Sequence, residues 1–334
     1  MRRSYYLFNP MELSRKDNTL KLTPLNDDGT LCQSKYIPVI DVDDIYVFGA
    51  LDINSATLNF LGKERIALHF FDYYEHYTGT FAPKEYLLAG KMLIQQTKFY
   101  NLKKKRIEIA KKFIVGASYN ILKNVKYYEN RGKELEDLRI TMETLSYNVP
   151  NAESIQELMG IEGNIRQNYY KAFDLMINDL EMSGRSKQPP KNEINSLVSF
   201  GNMLCYTTVL SQIYHTQLNP TISYLHEPGT RRFSLALDIA EIFKPILVDR
   251  VIFSVLNKKM IQKNDFDIQL NGCKIKDSAK KSFVKAYEEK LNETIKHRTL
   301  GRSVSYKYLI RLECYKLAKH LLEIEEYKPL KMWW

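Results

Sequence analysis

Residues 224–245 read YLHEPGTRRFSLALDIAEIFKP, and the fold class turns on the second half of that stretch. From Ser234 onward, Leu235, Ile239, Ile242 and Ile246 recur at helical spacing, and Ala236, Ala240, Phe243 and Leu247 form a second stripe beside them. Apolar residues around most of the circumference predict a buried helix. Pro245 is expected to kink or end it, because proline lacks the N–H and collides with the preceding turn. Asp238 and Glu241, three residues apart, share the face that is left. Desolvating an unpaired carboxylate costs on the order of several kcal/mol, so a cation is expected against them. Arg231, Arg232 and Arg250 are the nearby side chains that would supply it; a metal ion is the other source.

Residues 150–182 favour the metal. They read as a second amphipathic helix, with Ile155, Leu158, Ile165, Tyr169 and Ala172 on one stripe. Glu162 falls on that stripe where an apolar residue belongs, between Gly160 and Gly163. Glycines inside a helix cost roughly 1 kcal/mol each relative to alanine, so another element is expected to approach closely there. His226 precedes the carboxylate-bearing helix on a polar turn. Two carboxylates and one imidazole leave an open coordination sphere that suits Mn²⁺ or Mg²⁺, whereas zinc usually takes more His or Cys. Such an ion over a phosphodiester polarises the phosphate and neutralises charge developing on its oxygens. No Gly-rich phosphate cradle, G-x-S-x-G elbow or Cys–His signature is present in the sequence.

The rest of the chain sets this helical region behind a different texture. Up to about residue 82 the segments YYLF, KYIPVI (35–40), DIYVFG (44–49), ATLNFL (56–61) and RIALHFF (65–71) read as strands separated by turn residues. From about residue 84 the period is helical, and 197–214 reads as a buried helix. The expected architecture is therefore α+β: a small β-sandwich-like domain over 1–83, then a larger all-α domain over 84–334 that carries the metal site. Four scattered cysteines without paired spacing argue against structural zinc and disulfides, and they fit a reducing cytoplasm. Neither export nor membrane insertion is signalled. The 334 residues carry a net charge of +10, which favours a polyanionic partner such as nucleic acid. The segment NLKKKRIEIAKKF (101–113) holds six basic residues against one acid, with Leu102, Ile107, Ile109 and Phe113 on its core side. It is either a solvated helix face or a phosphate-contacting surface.

MGIEG at 159–163, followed by HEPGTRRFSLALDIAEIFKPILVDR at 226–250, resembles the paired signature of the CRISPR-associated adaptation integrases, the Cas one family. LSRKDNTL (13–20), IPVIDVDDIYVFG, HFFDYYEHYTGTF and NEINSLVSFGNML (192–204) extend the similarity nearly end to end, and RKDNTL is most similar to the branch found with type I-B systems. The resemblance implies a metal-dependent DNA endonuclease and integrase, which inserts short foreign DNA into a CRISPR array by attack of a DNA 3′-hydroxyl on a repeat-boundary phosphodiester. It places the metal ligands on Glu162, His226 and Glu241, and makes Asp238 an accessory carboxylate of the catalytic set. It further implies a homodimer, double-stranded and branched DNA as substrates, and a small partner, Cas two, in a heterohexameric complex. Arg166, Arg185, Lys187, Arg231, Arg232 and Lys244 are candidate phosphate contacts, or else ion-pair partners. Two other readings remain: a non-catalytic basic DNA-binding scaffold whose buried acids are ion-paired, and a metallohydrolase acting on a small phosphate ester.

Overall fold

The computed structural model describes residues 2–26, 28–83, 87, 89–187, 189–230, 233–269 and 272–333. Two compact units are present, Met1–Leu87 and Leu88–Trp334. The expected boundary at residue 84 lies outside the described residues.

The first unit contains strands β1 (Arg3–Leu7), β2 (Met11–Lys16), β3 (Thr19–Pro24), β4 (Lys35–Pro38), β5 (Val42–Val47) and β6 (Leu51–Ile53), helix α1 (Ser55–Glu64), then β7 (Ala67–Phe71) and β8 (Tyr77–Phe81). They form two four-stranded sheets, ordered β1-β5-β7-β8 and β4-β3-β2-β6. Leu13 and Leu20 from one sheet, Ile45 and Leu68 from the other, and Phe60 and Leu61 from α1 share a single core. The β2–β3 hairpin closes on Lys16 opposite Thr19 around Asp17, whose φ of 54° is the left-handed value that two-residue hairpin turns demand.

ATLNFL is helix, not strand. A short apolar run carries little periodicity, and the deciding residue lies just before it: the Asn54 side chain caps the helix by accepting from the Thr57 backbone N–H.

The second unit holds α2 (Gly90–Asn101), α3 (Lys103–Glu129), α4 (Glu136–Asn148), α5 (Ile155–Met176), α6 (Glu193–Tyr214), α7 (Ser234–Lys244) and α8 (Arg250–Asn257). Hairpin β9–β10 (Phe266–Gln269, Gly272–Ile275), α9 (Asp277–Asn292), hairpin β11–β12 (Thr294–Lys296, Ser303–Ser305) and α10 (Tyr306–Leu321) complete it. The all-α expectation is thus corrected by two short hairpins, whose three- and four-residue strands are too brief for a period-2 pattern to register.

Helix α7 lies at the centre of this unit, packed on α3 and α6. Both of its apolar stripes are fully buried. Pro245 does not end the helix; a wide π-helical turn, Pro245–Asp249, carries it into α8. Such a turn leaves carbonyls without their usual partners. Two asparagines of α3 satisfy them: Asn120 Nδ2 donates to Ile242 O at 3.1 Å and Asn124 Nδ2 to Pro245 O at 2.8 Å. Asn120 also ties down the tail, donating to Leu330 O and accepting from Met332 N–H. The tail is finished by Tyr327, whose buried hydroxyl donates to Glu313, and by Trp333, edge-on to His297. Trp334 lies outside the described residues.

Candidate metal centre

Asp238 projects from the first turns of α7 and is completely buried. Its Oδ2 accepts from the backbone N–H groups of Tyr224 (2.7 Å) and Leu225 (3.0 Å), and its Oδ1 from the N–H of His226 (2.9 Å) and from His226 Nδ1 (2.8 Å). The carboxylate that seemed to need a cation therefore uses four donors from one turn. It folds the 224–226 segment around itself and fixes the imidazole with Nδ1 turned inward, so that Nε2 is the nitrogen left for a ligand.

That turn is braced from outside by α3, in contacts the sequence did not reveal. Arg106 Nε donates to Tyr224 O at 3.0 Å, and its Nη2 to Glu227 at 2.6 Å. Ser223 Oγ donates to His226 O at 2.6 Å. Arg106 belongs to the basic segment 101–113. Of its companions, Lys105 pairs with Glu323 and Lys112 with Glu326, while Lys111 donates to Pro150 O. Much of that charge run is spent on holding the unit together. Ile107, Ile109 and Phe113 are buried as expected, but Leu102 is exposed, because it sits in the break between α2 and α3.

Glu241 lies one turn beyond Asp238 and is only 6% exposed. Its neighbours are cationic side chains: Arg166 Nη2 donates to Oε2, and Lys244 Nζ donates to Oε1 at 2.6 Å. Arg166 simultaneously donates from Nε to Glu162 Oε1, one turn back on α5. Burial opposes the Glu241 charge, but Arg166, Lys244 and His226 outweigh it and hold the carboxyl at about 2. Burial likewise opposes a charged His226, yet the bond and charge of Asp238, with Glu241 behind it, leave the ring holding its proton above the usual imidazole range. The onset of protonation expected near 6.5 accordingly moves to higher pH.

Glu162, Glu241 and His226 thus converge on one place, but the carboxylates are bridged by a guanidinium. Among the described residues no three His, Cys, Asp or Glu side chains already form a ligand cluster. The donor set itself, two carboxylates and an imidazole with Nε2 outward, fits Mn²⁺ or Mg²⁺. The expectation that Asp238 and Glu241 face the same cation is corrected: Asp238 faces backbone N–H groups and His226, while Glu241 faces Arg166 and Lys244.

Three candidate phosphate contacts also prove to have internal partners. Arg166 and Lys244 are committed to the carboxylates, and Arg185 donates to Ser186 O, Asn195 Oδ1 and Ser199 Oγ. Lys187 is exposed. Arg231 and Arg232 lie outside the described residues. Arg250, proposed as a partner for the acids, instead donates to Asn124 Oδ1 at 2.9 Å. Gly160 and Gly163 are not sites of close packing either, since a Cβ at either would meet nothing within 4 Å. They leave the rim beside Glu162 bare.

Asp249, at the end of the wide turn, escaped the sequence reading. It is 3% exposed, its Oδ2 has no hydrogen-bond partner among the described residues, and burial raises its carboxyl to about 7 despite nearby Arg166 and Tyr169. The cysteines behave as fillers: all four are free, three are buried, and burial pushes the Cys205 thiol up to about 12. No helix among the described residues is long and apolar enough to cross a membrane.

Comparison with known proteins accounts for this arrangement. The family profile described as CRISPR associated protein Cas1 matches residues 5–289. The CRISPR-associated endonuclease Cas1 of Fusobacterium nucleatum is 46% identical over 100% of this chain and 98% of its own length. The structure of a Cas1 protein from Thermotoga maritima superposes with a TM-score of 0.85 at 40% identity, covering 98% of this chain and 99% of that one. The same fold recurs, at 21% identity and a TM-score of 0.86 over 98% of this chain and 93% of the other, in a casposase bound to an integration product. The chain belongs to the Cas1 family of CRISPR-associated endonucleases.

Proposed function

We propose that this chain is a metal-dependent DNA endonuclease and integrase of CRISPR adaptation, and that Glu162, Glu241 and His226 Nε2 hold its Mn²⁺ or Mg²⁺. The observation that carries the reading is the Asp238–His226 pair: a fully buried carboxylate folds a turn around itself and aims one imidazole nitrogen toward two acids from separate helices. A scaffold has no use for an oriented ring nitrogen. When bound, the ion polarises the target phosphate and offsets charge developing on its oxygens.

The remaining work falls to the chain. Asp238 keeps His226 in one tautomer, Arg106 steadies the turn from behind, and α5 and α7 set the spacing between Glu162 and Glu241. The bare rim at Gly160 and Gly163 gives a DNA backbone room to approach. In the reaction the attacking DNA 3′-oxygen forms a new P–O bond as the target strand's P–O3′ bond breaks. The charge of +10 supports binding of double-stranded and branched DNA. Family membership supports a homodimer working with Cas2, and the LSRKDNTL hairpin favours the type I-B branch.

Glu162→Ala, His226→Ala and Glu241→Ala test this reading on strand-transfer and branched DNA substrates with Mn²⁺. Loss of strand transfer with DNA binding retained is expected; unchanged activity refutes it. Titration of Mn²⁺ into wild type and Glu241→Ala isolates the scaffold alternative, which gives no site-specific heat in either protein.

A further inference from the structure

Arg166 is the group that the metal reading leaves unexplained. Its side chain is 13% exposed and lies between the two carboxylates assigned as ligands, touching Glu162 with Nε and Glu241 with Nη2. Lys244 holds the other Glu241 oxygen. Two carboxylates against Arg166 and Lys244 give a formally neutral cluster. A divalent ion added beside both cations would leave two surplus positive charges in a largely buried site, where such charges are poorly screened. The ion and the guanidinium therefore compete for the same oxygens. Arg166 is the one displaced, because it alone touches both acids, whereas Lys244 contacts only Glu241.

A displaced guanidinium needs another anionic partner within reach. Asp249 offers one: it is 3% exposed, its Oδ2 has no partner among the described residues, and the fields of Arg166 and Asp249 act on one another. An unsatisfied buried carboxylate oxygen is costly, so its persistence calls for an explanation.

Building on the metal-centre reading, we propose that Arg166 is the resident counter-cation of the Glu162–Glu241 pair, that the divalent ion enters by exchange with it, and that Asp249 receives the released guanidinium. Arg166 is thus a positioning residue: it keeps two ligands from repelling each other while the site awaits its ion, at the expense of metal affinity.

The test uses the full chain stripped of metal, with MnCl₂ titrated calorimetrically and thermal midpoints read in EDTA and in Mn²⁺. Arg166→Met is expected to melt lower than wild type in EDTA and to bind Mn²⁺ at least tenfold tighter. A purely structural arginine would show the first effect without the second. Asp249→Asn is expected to bind Mn²⁺ about tenfold more weakly while keeping its midpoint in EDTA. Wild type binding Mn²⁺ while Arg166→Met binds equally or more weakly overturns the exchange and leaves the metal reading intact. If Arg166→Met does not fold, Asp249→Asn decides, and an unchanged affinity there refutes the proposal. No Mn²⁺ heat in wild type or Arg166→Met removes the metal centre and the exchange with it.

Discussion

Replacing Asp238 by asparagine changes one oxygen into an amide and tests the centre of the site. The amide oxygen can keep the Tyr224 and Leu225 N–H groups, but the NH₂ then faces the His226 N–H and Nδ1–H, donor against donor. Two bonds to a charged acceptor, each about 1.5–3 kcal/mol, are lost, and rotation or tautomer change of the ring recovers part of them. A net loss of about 2–4 kcal/mol is expected, which at about 2–4 °C per kcal/mol lowers the thermal midpoint by roughly 5–15 °C. The ring recovers its bond only by making Nδ1 the acceptor, and this puts the proton on Nε2, the nitrogen assigned to the ion. Mn²⁺ affinity should then fall about 10–100-fold, the usual effect of removing the group that orients a ligating histidine. Differential scanning fluorimetry in EDTA and calorimetric Mn²⁺ titration read the two effects separately. Wild-type Mn²⁺ affinity in Asp238→Asn would show that the pair does not set the tautomer and would refute the reasoning.

Other expectations concern the surroundings. Asp249 has a folded carboxyl at about 7 against an unfolded value near 3.9, so between those values the folded state binds more protons. Metal-free stability should therefore decline as pH rises from about 4 to about 7 and level off above; urea titrations of wild type and Asp249→Asn across that range should show the decline only in wild type. Arg106→Met removes the brace on the His226 turn and should cost about 1–3 kcal/mol, with a severalfold weaker Mn²⁺ affinity in the same titration. Asn120→Ala strands Ile242 O, Leu330 O and Met332 N–H together, and chemical denaturation should register a loss of roughly 3 kcal/mol or more. Gly201→Ala would place a Cβ 2.5 Å from Val248 Cγ1 and 3.1 Å from the Phe283 ring, so a lowered midpoint with unchanged DNA affinity is expected.

Residues whose roles follow from helical period were legible in the sequence. The stripes of α7 and the buried run in α6 announced themselves, as did the intrusion of Glu162, Asp238 and Glu241 into apolar surroundings. Arg166 was within reach too: it stands four residues after Glu162 on one helix, the spacing of a side-chain ion pair, but a surplus of basic charge invited a DNA contact instead. Asp238 was misread because a carboxylate can be satisfied by backbone N–H groups as well as by cations, and a turn that folds back has no periodic signature. Arg106 and Tyr224 lie 118 residues apart, and nothing local marks their contact. In the first unit, Asn54 was the overlooked cap, and the brief hairpins at 266–275 and 294–305 offered too few residues for any pattern.

The wide turn at Pro245–Asp249 constrains how this chain can change its length. A π-helical turn holds one residue more than the α-helical turn it replaces, so every side chain after it is displaced in phase by about one residue. Deleting any one residue of 245–249 would restore a regular helix and yet turn α8 by about 100° relative to α7. Val251, Ile252 and Val255 would rotate away from the core, and Asp249 would leave the side of Arg166. A shortening that looks conservative on paper should therefore be among the least tolerated in the chain, and homologous helices are expected to keep this segment's residue count even where they change its residues.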